Sequence, residues 1–496
     1  MKRFTRREFV KFLGVGAASL AIPAGMSAGE TKKKLNFVFF LIDDMGWKDV
    51  GCYGGRFFET PDIDRLAAEG MRFTAGYAAC AVCTPTRASI MTGKYPARLH
   101  MDGHIRPDLA PYPTGSGKLL NVQFKQWLEP SEETIAEELK SGGYVSASIG
   151  KWHLGEQSGA QYRPQNQGFS RVVLSQHHGD MKYFYPFVDR EKWPYAGPLP
   201  GKPGDYLPDR LTDEGVKFIE ENRDKPFFLY LSHWSVHEPH KAKQEKTAKY
   251  EAKKKAQGET KISPVYAAMV ESVDESVGRV MAKLEETGLV ERTVVIFMSD
   301  NGGVKSVTSM SPLRGEKSLY YEGGIRVPLI IKVPGMTKAG SVCDEPVIST
   351  DFYPTMLALA GLPPKPAQHC DGVSLVPLLK GGAGLGRAAI YWHFPLYQAR
   401  GCTPCSAIRA GDYKLIEYFE DNHIELYNLK DDIGEANDLS KSSPEKAKEL
   451  RAMLHRWREE VNAQIPQPNP DYDPNKKGKG AKKRMNVNQT GSRGIV

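Results

Sequence analysis

Four near-continuous apolar runs, at residues 35–42, 144–149, 227–232 and 293–298, constrain this chain more than any other feature. They do not alternate as a strand with one wet face would, so they fit strands buried on both faces of a parallel sheet. Each run ends in polar or ionisable residues: Asp43-Asp44, then Gly150-Lys151-Trp152-His153, then His233 followed by His237, then Ser299-Asp300-Asn301. Open α/β sheets carry their sites just beyond the carboxyl ends of the strands, so these groups are expected to converge. Helices are predicted between the runs. One spans about residues 131–141, with Glu132 and Glu133 in its first turn. Another spans about 264–287, where Met269, Val273, Val277, Val280 and Leu284 form a packing stripe. The alternation predicts an α/β fold with a large, mostly parallel central sheet and helices on both faces. Beyond Pro364 the texture changes to short strands at 388–393, 407–409, 413–419 and 424–428, followed by a helix from Ser443-Pro444 to about residue 463. These predict a small α+β subdomain with a short antiparallel sheet.

A second stretch, Cys83-Thr84-Pro85-Thr86-Arg87-Ala88-Ser89-Ile90-Met91-Thr92-Gly93, places a cysteine at the mouth of a short helix. Pro85 suits a first helical turn, and Gly93 suits a C-terminal stop. The helix dipole favours an anion at Cys83 and Arg87 adds a positive charge one turn on, so a depressed thiol pKa is expected. Taken alone, such a cysteine reads as a small buried hydrophobe. Asp43, Asp44, Asp300 and Asn301 supply hard oxygen donors only, a set that suits Ca²⁺ better than zinc, with Mg²⁺ second.

The pattern Cys83-x-Pro85-x-Arg87 followed by Met91-Thr92-Gly93 resembles the signature of type I sulfatases, the arylsulfatase-like members of the alkaline-phosphatase-like superfamily. Further pieces recur in family order between about residues 36 and 330. They are Asp43-Asp44, Gly150-Lys151-Trp152-His153-Leu154-Gly155, His237-Glu238-Pro239-His240, Asp300-Asn301-Gly302, and Lys317 in Ser311-Pro312-Leu313-Arg314-Gly315-Glu316-Lys317 ahead of Glu322-Gly323-Gly324. The resemblance implies hydrolysis of sulfate esters, with carbohydrate as the expected substrate class. It implies oxidation of Cys83 to formylglycine, whose hydrate is the nucleophile, by a formylglycine-generating maturation enzyme. Asp43, Asp44, Asp300, Asn301 and residue 83 itself become the calcium ligands. Arg87 and Lys151 would hold the nucleophile, His237 helped by Lys317 would protonate the leaving alcohol, and His153 would act as base in the second step. His233 and His240 stand as alternatives to His237.

The ends of the chain carry its charge. Lys2, Arg3, Arg6, Arg7 and Lys11 crowd the N-terminus, and Lys476, Lys477, Lys479, Lys482, Lys483 and Arg484 the C-terminus, so the net +8 leaves a nearly neutral body and gives no indication of nucleic-acid binding. Arg6-Arg7 followed by an apolar run over residues 12–24 reads as a twin-arginine signal over 1–28, too short to span a bilayer. The Tat machinery is then a partner and the location is periplasmic or secreted; left uncleaved, the segment would be a weak anchor. The expected order is signal 1–28, catalytic domain 33–370, C-terminal subdomain 385–465 and a disordered basic tail 466–496. Seven cysteines fit an oxidising compartment, with disulfides open among Cys343, Cys370, Cys402 and Cys405. The C-x-x-C pairs Cys80/Cys83 and Cys402/Cys405 lack a second pair at zinc-finger spacing.

Two rival functions remain. Phosphonate or phosphate ester hydrolases share the same signature. An inactive polyanion-binding protein would account for the lysine-rich segment 241–261. Substrate choice is expected to lie in the loops 100–106, 176–180 and 393–400.

Overall fold

The computed structural model describes residues 34–474, apart from 107–116, 176–180, 190, 192 and 260. The expected signal at 1–28, the loop 176–180 and the tail from residue 475 lie outside the described residues. The strands are β1 (Asn36–Ile42), β2 (Met71–Phe73), β3 (Gly76–Tyr77), β4 (Val145–Gly150), β5 (Arg171–Val173), β6 (Phe227–Ser232), β7 (Thr293–Ser299), β8 (Leu329–Lys332), β9 (Ser341–Cys343), β10 (Val347–Ile348), β11 (Ile390–Phe394), β12 (Cys405–Ala410), β13 (Tyr413–Tyr418) and β14 (Ile424–Asn428).

Eight of them form one sheet in the order β5-β4-β6-β1-β7-β8-β2-β9. Its first five strands are parallel, and β8 enters antiparallel between β7 and β2. The four apolar runs are therefore neighbours, β4-β6-β1-β7, and every residue of β1 is buried because the sheet is covered on both faces. Their carboxyl ends are level. Ile42 faces Ser299, Leu41 faces Ser232, and Gly150 faces Ser232, so the polar residues that follow emerge side by side. Pairing continues past the strand ends through Asp43 N–H to Ser235 O (3.0 Å), Asp300 N–H to Ile42 O (2.9 Å) and Lys151 N–H to Ser232 O (2.8 Å). Gly150, at φ +105°, has no room for a side chain, since a Cβ would sit 1.9 Å from the Ser232 carbonyl.

The helix expected from 131 begins later, at Ile135–Ser141. Thr134 accepts from Glu137 N–H while the Glu137 carboxylate accepts from Thr134 N–H, and this capping box sets the start. The long helix Pro264–Glu286 matches its predicted span and buries its stripe against the sheet.

The C-terminal sheet, β11-β12-β13-β14, is antiparallel and shares a core with the helix Pro444–Glu460 and with residues of the 75–82 and 319–325 segments. A buried ionic cluster joins them. Lys414 Nζ donates to Glu322 (2.9 Å) and Glu435 (2.8 Å), and Glu322 also accepts from Arg326 (2.5 Å) and Tyr77 (2.7 Å). Removing one member of a buried ion pair strands its partners. Lys414→Ala is therefore expected to cost about 3–5 kcal/mol, read as a shifted denaturant midpoint; a loss below about 1 kcal/mol would show that the cluster is not acting this way. Residues 467–469, at the head of the segment expected to be a disordered tail, are paired: Leu120 N–H donates to Gln467 O and Asn469 N–H to Lys118 O.

Candidate functional site

Cys83 opens the helix Cys83–Thr92, all of whose residues are buried, and Gly93 ends it at φ +69°. The thiol lies at the floor of the strand ends: Cys83 Sγ donates to Asp43 Oδ1 at 3.3 Å, and Lys317 Nζ lies 3.7 Å from it. Asp43 and Asp44 follow β1, and Asp300 and Asn301 follow β7. Lys151 and His153 follow β4, His237 follows β6, and Lys317 comes from the loop between β7 and β8. The two residues with left-handed backbone here, Asp44 (φ +64°) and His153 (φ +63°), are strained positions of the sort that gather at working sites.

Charge in the site is internally paired. Arg87 Nε and Nη2 both donate to Asp300 Oδ2 (3.0 and 2.7 Å), and its Nη1 donates to Ser232 Oγ (2.6 Å) and Lys151 O (3.0 Å). Arg87 thus ties three strand ends together, and its charge also acts on Cys83. Lys151 Nζ reaches Asp43 Oδ2 at 2.5 Å, and Lys317 Nζ reaches Asp44 Oδ1 at 2.6 Å. Burial pushes the Asp43 carboxyl up, but Lys151, His237, Arg87 and Lys317 outweigh it and hold Asp43 far below the usual carboxylate range. Burial and Asp43 raise Asp300 to about 6 despite Arg87.

The depressed thiol pKa expected for Cys83 is not found. Complete burial, with Asp300 and Asp43 beside it, pushes the thiol well above its ordinary value, and Lys151 and Lys317 offset this only in part. The helix dipole is outvoted by desolvation and two carboxylates, and the charge of Arg87 is already committed to Asp300.

Of the three candidate histidines, only His237 enters the cluster. One of its ring nitrogens, a carboxylate oxygen each of Asp43 and Asp44, and the Cys83 sulfur lie within 4.8 Å of one another. His233 turns into the core, with Nε2 bonded to Ser276 Oγ at 2.9 Å, and His240 packs on the Tyr266 ring. His104, to which sequence reasoning gave no role, joins the opposite side: its ring lies 4.4 Å from that of His153, and both imidazoles lie within 4.8 Å of the Cys83 sulfur. No local signal marks a lone histidine in Gly103-His104-Ile105. Its neighbour Ile105 is drawn in by an N–H to Thr84 Oγ1 contact (3.3 Å) and by the His153 ring, whose Nε2 meets the Ile105 carbonyl at 3.3 Å.

Cys83, Arg87, Lys151, His153, Asp43, Asp300 and Asn301 have no exposed surface, whereas Asp44, His237 and Lys317 retain 3, 5 and 7 % and His104, on the opposite side, is half-buried, so the site meets solvent at both edges. The donor set also fits a hard cation. Asn301 Nδ2 donates to Asp44 Oδ1 (2.8 Å), while its buried Oδ1 has no hydrogen-bond partner among the described residues, an acceptor left for an ion among three carboxylates.

The other expectations resolve as follows. All seven cysteines are free, so the disulfides considered among Cys343, Cys370, Cys402 and Cys405 are not formed. Four lysines of the lysine-rich segment are tied down: Lys243 pairs with Asp209 (2.6 Å), Lys246 with Glu271 (2.8 Å) and Glu275, Lys249 with Glu59 and Glu271, and Lys253 with Glu59 (2.7 Å). A polyanion would have to break these pairs. No helix among the described residues is long and apolar enough to cross a membrane.

Comparison with known proteins agrees with this geometry. The family model described as Sulfatase matches residues 35–362, and one described as N-sulphoglucosamine sulphohydrolase, C-terminal, matches 315–464. The chain is 32 % identical to a protein named Sulfatase from Formosa agariphila, covering 88 % of this chain and 91 % of that one. It is likewise 32 % identical to N-acetylgalactosamine-6-sulfatase of Rattus norvegicus, covering 81 % and 75 %. The crystal structure of Ps i-CgsB in complex with k-i-k-neocarrahexaose superposes with TM-score 0.72 at 29 % identity, over 86 % of this chain and 93 % of that one. Phosphonate monoester hydrolase of Agrobacterium radiobacter shares the fold at TM-score 0.61 and 21 % identity, over 86 % of this chain and 96 % of that one.

Proposed function

The chain belongs to the sulfatase family, and on that premise we propose that it releases sulfate from sulfated glycans, using Cys83 converted to formylglycine and a calcium ion. The observation that carries this reading is the meeting of three carboxylates, an amide oxygen with no partner and two lysines around one buried residue 83. Carbohydrate is supported as substrate class by the relative named N-acetylgalactosamine-6-sulfatase and by the complex of Ps i-CgsB with k-i-k-neocarrahexaose, while a relative named steryl-sulfatase, from Mus musculus, is 31 % identical over 74 % of this chain and points to a different alcohol.

The residues divide the work by position. Asp43, Asp44, Asp300 and Asn301 would hold calcium, which supplies positive charge against the sulfate oxygens as negative charge moves to the leaving oxygen. Formylglycine at residue 83 supplies a nucleophile that can shed sulfate afterwards, which a serine ester could not readily do. Lys151 and Lys317 flank residue 83 and neutralise the two sides of the bound sulfate. Arg87 fixes Asp300, Ser232 and the Lys151 backbone in register, and so keeps the strand ends together. The Glu238 carbonyl takes the Nδ1 proton of His237 (2.6 Å), which makes Nε2 the proton-exchanging nitrogen, and Nε2 is the atom turned towards Asp44. From there it protonates the alcohol oxygen as the S–O bond breaks. His153 donates Nε2–H to the Ile105 carbonyl, leaving Nδ1 to accept a proton in the second half of the cycle. Maturation before twin-arginine export to the periplasm or beyond completes the proposal, on the strength of Arg6-Arg7 and the apolar run behind them.

Turnover of a 4-nitrophenyl sulfate against the matching aryl phosphonate tests the reaction class. Sulfate preference is expected, and faster phosphonate cleavage would transfer the site to the rival chemistry. His237→Ala is expected to lower kcat/KM on a sugar sulfate by about 10²–10⁴-fold yet leave 4-nitrophenyl sulfate within roughly tenfold of wild type, because a good leaving group needs little protonation. Equal losses on both substrates would remove His237 from that role.

A further inference from the structure

Beside the site lies a second cavity of about 500 Å³ with a composition suited to an anionic sugar. Its cations are Lys48 and Arg56, and its hydroxyls Ser309 and Ser311. Phe57 and Ile262 contribute an apolar floor, each with only its edge exposed (5 and 7 %). The volume falls within the range of small-ligand sites, roughly 300–1,000 Å³. The cavity has one carboxylate, Glu259, which is turned to the backbone N–H groups of Lys261 and Ile262.

Three lysines of the 244–257 helix, Lys246, Lys249 and Lys253, are paired with Glu59, Glu271 and Glu275. Among the described residues, neither Lys48 nor Arg56 has an ion-pair or hydrogen-bond partner for its side chain. Lys48 lies along Gly54, whose φ of +90° and missing side chain leave it room; a Cβ there would come within 3.1 Å of Lys48 Cε. Two unneutralised cations over an apolar floor, with hydroxyls at the rim, match a pyranose bearing sulfate or carboxylate.

The cavity also faces the correct way. Residues 48–58 follow the carboxyl end of β1 and residues 309–311 that of β7, while 259–262 lead into the helix that runs back to the start of β7. All three segments therefore lie at the same end of the sheet as residue 83. The wall between cavity and site is built on Asp49, which accepts from Gly46 N–H (2.8 Å), Tyr266 OH (2.5 Å) and Thr308 OH (2.5 Å); Tyr266 OH also meets the Asp44 carbonyl (3.3 Å). Asp44 and the cavity rim are thus positioned by one hub.

We propose that the Lys48–Arg56 cavity binds a second anionic group on the glycan, remote from the sulfate being cleaved, and so selects chains carrying more than one charge. This rests on the sulfatase reading but is tested separately from it. The test is binding of heparin hexasaccharide, which carries sulfates and carboxylates, and hyaluronan hexasaccharide, which carries carboxylates alone, to wild type and to Lys48→Ala/Arg56→Ala by calorimetry at low salt. Kinetics on 4-nitrophenyl sulfate run in parallel. The double variant is expected to raise the Kd for heparin hexasaccharide about tenfold. The difference should shrink towards about 1 M salt, with aryl sulfate turnover unchanged. A loss confined to heparin assigns the cavity to sulfate, and an equal loss on both probes assigns it to any sugar-borne anion. Unchanged affinity for heparin, or a parallel loss of aryl sulfate turnover, overturns the proposal. A wild type that binds heparin through Lys48 and Arg56 but hydrolyses no sulfate ester would overturn the sulfatase reading and leave only the anion-binding cavity standing, without its part in choosing the chain to be cleaved.

Discussion

Cys83→Ala is expected to abolish sulfate release, by a factor on the order of 10⁴ or more, while leaving the protein folded. The side chain is small and enclosed: removing one buried sulfur costs only about 1 kcal/mol of stability, well short of what unfolds a chain of this size. The lost activity would therefore be chemical. Asp43 and Lys317 meet the Cys83 sulfur directly and Lys151 is paired with Asp43, so the charges of the site are arranged around the atom that the variant lacks. Peptide mass spectrometry of the wild type completes the prediction. In active protein the peptide containing residue 83 should have lost sulfur and should react with a hydrazide, as an aldehyde does. Fully active protein in which Cys83 is present wholly as thiol would sink the proposal, and so would a Cys83→Ala variant that keeps wild-type rates.

Removing divalent metal should have the next largest effect. Asp43, Asp44 and Asp300 are buried together, and without an ion the charges that compensate them among the described residues are Lys151, Lys317, Arg87 and, when protonated, His237. Those lysines cannot serve a sulfate and the carboxylates equally. Exhaustive chelation is expected to lower kcat/KM by about 10²-fold or more, since a bound cation contributes several kcal/mol of charge stabilisation. Ca²⁺ should restore activity better than Mg²⁺, because a set of carboxylates and an amide oxygen suits the larger ion. A second readout is independent of turnover. Saturating Ca²⁺ at about 100 times its Kd should stabilise the folded state by about 2.7 kcal/mol, visible as a raised Tm. Asn301→Ala should erase most of that rise by removing the one amide oxygen in the set. Undiminished activity after verified metal removal, or a Tm indifferent to Ca²⁺, would count against the metal.

Much of this architecture was legible from residue order. The four apolar runs became β1, β4, β6 and β7 to within a residue at each end, because burial on both faces leaves few other places for such runs. That they are neighbours with level ends was not legible, since strand order and register depend on pairing between segments as much as 257 residues apart. Short elements were equally silent. β2, β8 and β9 have three or four residues each, too few for any periodicity, and they hold their places through the antiparallel insertion of β8.

The site divides along the same line. Which residues belong to it was carried by motifs that stay local in the chain: Asp43-Asp44, Lys151 with His153, Asp300-Asn301, Lys317 and the Cys83 stretch. Which of three histidines enters, how the Cys83 thiol is tuned, and that His104 stands beside His153 were decided by folding alone. His233 finds Ser276 on a distant helix, Asp300 reaches Cys83 across the sheet, and Arg87 is claimed by Asp300. The same holds for charge on the surface. Lys246, Lys249 and Lys253, in the run of lysines that looked like a polyanion site, are neutralised by Glu59 and Glu271 from outside the run, while Lys48 and Arg56, unremarkable in the chain, are left facing a cavity. Covalent spacing fixes which groups can share a strand end or a helix turn; desolvation and through-space charge act only once the chain has closed, and no local sequence pattern encodes them.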